Sequence, residues 1–160
     1  MITFLQLGKH GRLGNQLFQY AALKSLGLKK NYEVKIPNPK LMTWHGQECL
    51  LDNFNLECGH LEDGDLQKIE YMYKEQNHDV CDPNFWQCPN NINLHGFFQS
   101  TFYFKEFDEQ IRKEFTLKSE FVNEAIEFIK KLKKENTNKE VVSVHLRRGD
   151  LTDGTNNISN

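Results

Sequence analysis

The stretch "MITFLQLGKHGRLGNQLFQYAALKSLGLKKNYEVKI", residues 1–36, decides the fold class of this chain. Its first seven residues are rich in strand-forming side chains, and apolar side chains then recur at helical spacing from Asn15 to about Leu28. Residues 32–36, YEVKI, alternate and stop at Pro37, as a strand does. A strand, a glycine-containing loop, a helix and a second strand form a βαβ unit, which builds parallel sheets. The sequence therefore predicts an α/β fold.

Length and charge restrict the classes of protein that fit. The 160 residues are enough for one ordinary domain core. The formal charge of −2 at pH 7 gives no overall attraction to nucleic acid or to an anionic membrane, so we expect no nucleic-acid partner. The chain begins without a basic, apolar leader, and no window approaches the ~18 apolar residues that span a bilayer. We therefore expect a cytoplasmic protein without a signal peptide or membrane anchor.

Beyond residue 36, the sequence patterns that predict secondary structure are weak at first and clear later in the chain. Residues 37–91 are poorly periodic and predict loops with short elements. Residues 93–100, NLHGFFQS, begin like a strand, and a helix is predicted over residues 103–115. A further helix is predicted from Ser119, with lysines near its end that match the helix dipole. The predicted apolar face of the first of these helices, which we expect to pack in the core, consists of Phe104, Phe107, Ile111 and Phe115.

The cysteines do not form a metal-binding motif. None of the four belongs to a CxxC pair, so a zinc centre would have to be assembled from scattered cysteines and histidines. The spacing favours reduced thiols, with a disulfide or a metal site as the alternative, and we predict no metal. The residues concerned are Cys49, Cys58, Cys81 and Cys88, with His45, His60 and His78.

The loop before the first helix carries Gly8, Gly11 and Gly14 at a spacing of three. This spacing is neither the Walker pattern nor GxGxxG, which argues against a P-loop enzyme. Glycines there would let a ligand approach the backbone, and the helix N-terminus with Asn15 and Gln16 would offer polar groups to an anion or a sugar hydroxyl. The alternative is a tight turn that Asn15 caps.

Residues 141–150, VVSVHLRRGD, contain the second concentration of polar groups. The β-branched and aliphatic run predicts a buried strand, and His145, Arg147, Arg148 and Asp150 would follow at its carboxyl end, where open α/β sheets bind ligands. An arginine pair beside a glycine suits a pyrophosphate, which guanidinium groups bind bidentately. Equally, one arginine could pair with Asp150 while the other is solvated.

Three motifs together resemble one enzyme family. "GRLGNQLFQYA", "GFFQSTFYF" and "VSVHLRRGD" occur in the order and at separations similar to those of the α-1,2-fucosyltransferases of glycosyltransferase family 11. The resemblance implies an inverting, metal-independent enzyme of the GT-B type, with two facing Rossmann-like domains and no cofactor. Its implied partners are GDP-fucose, as donor of L-fucose, and a galactose-containing glycan acceptor. Peripheral membrane association of the intact enzyme is also compatible with the resemblance.

The resemblance also implies roles for individual residues. Arg147 would contact the diphosphate, His145 would lie close to the donor, and Arg148 and Asp150 would shape the loop. His145 and Asp150 are the candidates for the base, which the sequence does not identify. The resemblance also places the glycine loop across the cleft from the arginine motif. There Gly11, Gly14 and Asn15 would bind the donor, and Asn15 and Gln16 would bind the acceptor.

The family continues beyond the arginine motif, which leads to an expectation about domains. We expect residues 1–138 to form the Rossmann-like, acceptor-side domain and residues 139–160 to be the start of a GDP-sugar-binding domain that is largely missing. The chain would then be an inactive fragment or truncated form, unless a second chain completes the site. The alternative is a non-catalytic module, derived from such an enzyme, that binds a glycan or a nucleotide diphosphate.

Overall fold

A computed structural model describes residues 1–44, 47–76 and 81–145. The helices are α1 (Leu13–Lys30), α2 (Asp108–Glu114) and α3 (Ser119–Glu135). The strands are β1 (Ile2–Thr3), β2 (Val34–Ile36), β3 (Thr43–Trp44), β4 (Gln47–Glu48), β5 (Gly59–His60), β6 (Tyr71–Lys74) and β7 (Ile92–His95).

Five of these strands form one parallel sheet in the order β5-β2-β1-β7-β6. The central strand β1 pairs with β2 on one side and with β7 on the other, so that Ile2 lies opposite both Val34 and Ile92. Strands β3 and β4 form a separate antiparallel pair. The predicted βαβ unit and the α/β class are confirmed.

Helix α1 packs against the sheet through a closely fitted glycine. It begins at Leu13, two residues before the predicted start, and its buried residues include Leu23 and Leu26. A Cβ atom on Gly27 would lie 2.3 Å from Cγ2 of Val34 in β2. The helix can therefore approach the strand this closely only because this position has no side chain.

Aromatic rings fill much of the core beside β7. Phe85 and Tyr103 meet edge to face at 4.9 Å, Tyr103 and Phe98 at 5.1 Å, and Phe98 and Phe4 at 6.0 Å. Such edge-to-face contacts are the preferred arrangement of aromatic pairs.

The predicted stripe of Phe104, Phe107, Ile111 and Phe115 faces inward, and the expected core packing is confirmed for three of its members. Ile111 is buried, and Phe104 and Phe115 pack against the core cluster. The predicted helix is shorter than expected, since α2 covers only Asp108–Glu114 and 3₁₀ turns occupy residues 101–103 and 105–107. A spacing of three residues fits a 3₁₀ turn as well as an α-helix, so the pattern did not distinguish them.

A buried carboxylate joins α1 to α2. Glu114 accepts hydrogen bonds from the Tyr20 hydroxyl at 2.5 Å and from the backbone N–H of Glu57 at 3.0 Å, and its other oxygen lies 3.0 Å from Nζ of Lys24. Burial, with the neighbouring Cys58 and Glu114 adding to it, raises the pKa of Tyr20 far above its usual range. The tyrosine stays protonated and keeps its bond to Glu114, so the charge is fully partnered as burial requires.

By contact density the chain separates into Met1–Phe121, which holds the sheet, and Val122–Asn160. In the described residues the second unit consists of the rest of α3 and residues 136–145. Helix α3 begins at Ser119 as predicted, but none of its residues is buried. The proposed boundary between residues 138 and 139 stays a prediction. In the described part of the chain, no helix is long and apolar enough to cross a membrane.

The prediction of a buried strand at 141–146 is wrong for residues 141–145. These residues form no strand, and Val142 and Val144 are each 77% exposed. A β-branched run becomes a strand only where its backbone groups pair with a neighbour and its side chains pack on a second layer. Residue 146 lies outside the described residues.

Two alanine substitutions in α1 test its packing. Alanine is a better helix former than glycine by about 1 kcal/mol, yet Gly27→Ala should lower the free energy of unfolding by about 1–3 kcal/mol because the new methyl group collides with Val34. The matched control is Gly14→Ala, since a Cβ there would meet no described atom within 4 Å apart from its chain neighbours and the backbone of the helix itself. This control should be neutral or stabilising by up to about 1 kcal/mol. Urea unfolding measures both, and a stabilised Gly27→Ala would contradict the close approach.

Candidate functional site

The carboxyl ends of β1 and β7 lie side by side in the sheet, and we refer to the region between the two segments that follow them as the crevice. From β1 the chain leads through α1 to β2 on one side, whereas β7 and β6 lie on the other side of β1. Open α/β sheets bind ligands outside the carboxyl ends of their strands. The loop 4–12 follows β1 at this crevice, and the turn 96–100 follows β7.

The first two glycines of the loop are required by its own conformation. Gly8 and Gly11 have φ of +82° and +92°, which side chains rarely adopt. A Cβ on Gly8 would lie 2.8 Å from Cβ of Met42, and a Cβ on Gly11 would lie 2.3 Å from Nδ2 of Asn15. The loop is therefore a tight turn in which both positions need glycine.

Gly14 differs from the other two glycines. It lies in the first turn of α1, inside the helix rather than in the loop. Apart from its two chain neighbours and the backbone of the helix itself, no described atom lies within 4 Å of where its Cβ would be. The N-cap residue is Arg12, which makes no side-chain capping bond. The tight turn of the alternative is therefore present, but Asn15 is not the residue that caps the helix. With no acidic residue in its first turn, the helix N-terminus keeps its partial positive charge.

Asn15 joins the glycine loop to the turn after β7. The Gln99 side chain donates a hydrogen bond from Nε2 to Oδ1 of Asn15 at 2.5 Å. Asn15 is half-buried and Gln99 is exposed, so both amides lie at the surface of the crevice. Two of the sequence motifs, 84 positions apart at this pair, thus meet at one point.

Gln16, in contrast, points inward. It is 3% exposed, its Nε2 donates to the carbonyl of Gly11 at 3.2 Å, and its Oε1 accepts from the backbone N–H of Leu50 at 3.3 Å. The thiol of Cys49 also donates to Oε1 at 3.5 Å. This amide is used within the protein, where it fixes the glycine loop against residues 49–50.

Stacked rings form one wall of the crevice. The rings of His10 and Phe97 lie 4.4 Å apart at 26°, and those of His10 and His95 lie 5.8 Å apart at 28°. Sequence reasoning did not single out these three residues, because they come from the glycine loop, the end of β7 and the turn after it, and have no fixed spacing. It also missed Gln19, although a polar residue on the buried face of α1, three positions after Gln16, is a signal that could have found it.

The predicted site residues of the second motif, at positions 145–150, lie almost wholly outside the described residues. Arg147, Arg148 and Asp150 are not among them, and His145 is exposed. The catalytic and diphosphate roles of these residues stay predictions.

The cysteines are free thiols. Burial raises the pKa of Cys49 and of Cys58, and it raises the pKa of Cys88 to about 11. Within the described ranges, no group of three histidine, cysteine or carboxylate side chains is placed to hold a metal ion. His45 and His78 lie outside those ranges.

A cavity of about 490 Å³ lies near the ends of β2 and β5, apart from the crevice. Its lining includes Ile36, Phe54, Cys58 and His60, and none of the predicted site residues. We assign the site to the crevice because two loops bring convergent polar groups there.

The parallel sheet and its helices form an α/β arrangement consistent with a Rossmann-like glycosyltransferase domain. The family model described as glycosyl transferase family 11 matches residues 3–159, and the chain belongs to that family. Searches of curated proteins and of solved structures gave no match. Family membership identifies a glycosyltransferase of the fucosyltransferase type, for which a nucleotide sugar is the donor and a glycan the acceptor.

The contact between Asn15 and Gln99 is tested by a double-mutant cycle. Asn15→Ala and Gln99→Ala should each destabilise the protein slightly, and the double variant should be more stable than the sum of the two effects predicts. We expect a coupling of about 0.5–1.5 kcal/mol, as for a neutral hydrogen bond. Urea unfolding of the four proteins gives the value. Strictly additive effects would contradict the contact.

Proposed function

We propose that this chain is the acceptor-side part of an inverting galactoside α-1,2-fucosyltransferase, which moves L-fucose from GDP-fucose to a hydroxyl of a galactose-type sugar. The observation that carries the proposal is the contact between Asn15 and Gln99 in the crevice, which joins two of the three motifs. Family membership supports the reaction class.

The crevice offers groups suited to a sugar and to a phosphate. The amides of Asn15 and Gln99 can donate to and accept from hydroxyl groups. Gly14 leaves the first turn of α1 open, so that a ligand can reach the backbone at the positive end of the helix. Gln16 would serve the acceptor indirectly, by fixing the glycine loop, because its own amide is already bonded inside the protein.

Release of GDP as the leaving group requires a positive charge close to its phosphates. Departure of GDP builds negative charge on the β-phosphate, and a fixed guanidinium can stabilise it without a metal. We assign this role to Arg147, with Arg148 beside it. His145 and Asp150 are the candidates to take the proton from the acceptor hydroxyl. The reaction so described needs no cofactor.

We propose further that the 160-residue chain alone binds a sugar but does not transfer fucose. Residues 141–145, which lead into the arginine pair, form no strand, and His145 is exposed. Stabilisation of a leaving phosphate depends on donors that are held in place before the reaction. The same observation supports the second candidate function, a glycan-binding module, which would need the crevice alone.

Gly14→Ala separates ligand binding from stability. The variant should fold at least as well as the wild type, yet its affinity for GDP-fucose should fall by about tenfold, since the methyl group occupies the open place at the helix N-terminus. Isothermal titration of GDP, GDP-fucose and a β-galactoside measures this. Binding of the galactoside without any effect of GDP-fucose would favour the glycan-binding module. Unchanged affinities in Gly14→Ala would reject the role of Gly14.

Arg147→Lys tests the diphosphate role in an active enzyme that contains this chain. Lysine keeps the charge but loses the planar pair of donors, so kcat should fall by about 100-fold. The control is Arg112→Lys, the same chemical change at an exposed arginine that pairs with Asp108 at 2.7 Å, and kcat should not change there. Turnover of radiolabelled GDP-fucose gives both values. Wild-type kinetics in Arg147→Lys would refute the assignment.

A further inference from the structure

Gln19 links the two loops that form the crevice. Its side chain is fully buried, and Nε2 donates to the carbonyl of His10 at 3.0 Å and to the carbonyl of Gly96 at 3.1 Å. The first carbonyl belongs to the glycine loop and the second to the turn after β7. One amide on α1 therefore ties together two segments that are far apart in sequence.

The orientation of this amide is fixed. Oε1 of Gln19 is buried and meets no donor among the described residues. Turning the amide over would lose both hydrogen bonds and would set an oxygen against the two carbonyl oxygens. The only productive arrangement is the one in which Nε2 binds both loops.

Glu75 holds the same turn from the other side. It follows β6, it is 6% exposed, and its Oε2 accepts from the backbone N–H groups of Phe97 at 2.8 Å and Phe98 at 3.0 Å. Its own N–H donates to the carbonyl of His95 at 2.9 Å. The turn after β7 is thus bonded through its carbonyl to Gln19 and through its N–H groups to Glu75.

The turn has a conformation that needs such support. Phe98 has φ of +53°, which is unusual for a residue with a bulky side chain, and Gly96 has φ of +153°. A Cβ on Gly96 would lie 2.5 Å from Cβ of Glu75. Strained backbone of this kind persists only where the surroundings fix it, and it occurs most often at functional sites.

We infer that Gln19 and Glu75 are positioning residues of the sugar site. They hold the turn so that Phe97 stacks on His10 and Gln99 bonds to Asn15. Both side chains are buried and bonded to backbone groups of the two segments, so we assign them no contact with the substrate. This inference rests on the proposed function for its consequence in binding, whereas its structural part can be tested without any ligand.

Gln19→Met is the first test. Methionine has a similar shape and fills the buried space, but it donates no hydrogen bond. Amide hydrogen exchange of Phe97 and Phe98 should become about 10- to 100-fold faster, since the turn opens more often once its link to α1 is lost. The affinity for a β-galactoside such as lactose, measured by titration calorimetry, should fall by about tenfold.

Leu26→Ala is the matched control. Leu26 is fully buried in the same helix, and its loss destabilises the core without touching either loop. In Leu26→Ala, amides that exchange only by global unfolding should exchange faster. The local exchange of Phe97 and Phe98 should not change, and neither should the affinity for the galactoside. Should Gln19→Met fail to fold, Gly96→Ala displaces the turn against Glu75 and must give the same two effects.

Faster exchange of Phe97 and Phe98 together with weaker galactoside binding, in Gln19→Met but not in Leu26→Ala, supports the inference. Unchanged exchange at these two amides, or unchanged affinity despite faster exchange, overturns it. If the wild-type chain binds no galactoside, the proposed function fails in its acceptor assignment. The exchange rates then still decide whether Gln19 holds the turn.

Discussion

The pairing of β1 with β2 and with β7 is the constraint on which the rest of the structure depends. Parallel neighbours end at the same edge of a sheet, so the segments that follow β1 and β7 must leave the sheet side by side. The glycine loop and the turn 96–100 therefore face each other before any of their side chains interact. The side chains then fix how the two segments meet.

Most of the side chains that fix the two segments are neutral amides. Gln16 fixes the glycine loop to residues 49–50, Gln19 fixes it to the turn after β7, and Gln99 meets Asn15 at the surface. An amide carries no charge and does not titrate near neutral pH, so these contacts do not depend on a protonation state. Such groups suit the hydroxyls of a sugar, whereas we propose that Arg147, which lies outside the described residues, supplies the charge needed by a departing diphosphate.

The sequence predicted the elements near its beginning better than those near its end. The pattern of residues 1–36 predicts β1, α1 and β2 in this order, and the structure confirms the order. Helix α1 begins two residues before the predicted start, and β1 covers only Ile2–Thr3 of the seven residues with strand character. The run 141–145 shows the limit of this reasoning, because strand formation depends on partners that a local pattern does not contain. Asn15 is half-buried and bonded to Gln99, and its predicted contact with a ligand stays a prediction. The inward bonds of Gln16 could not be predicted from the local pattern, because they depend on Leu50, 34 positions away.

Mapping sugar contacts onto the chain shows whether the crevice between the loops after β1 and β7 is the sugar site, as we propose. The measurement is a titration of the ¹⁵N-labelled chain with a β-galactoside, followed through backbone and side-chain amide signals. The account predicts that the largest shifts occur at Gly11, Asn15 and Gln99, with little change at Cys58 and His60 in the separate cavity. Shifts concentrated at that cavity, with none in the crevice, would contradict it.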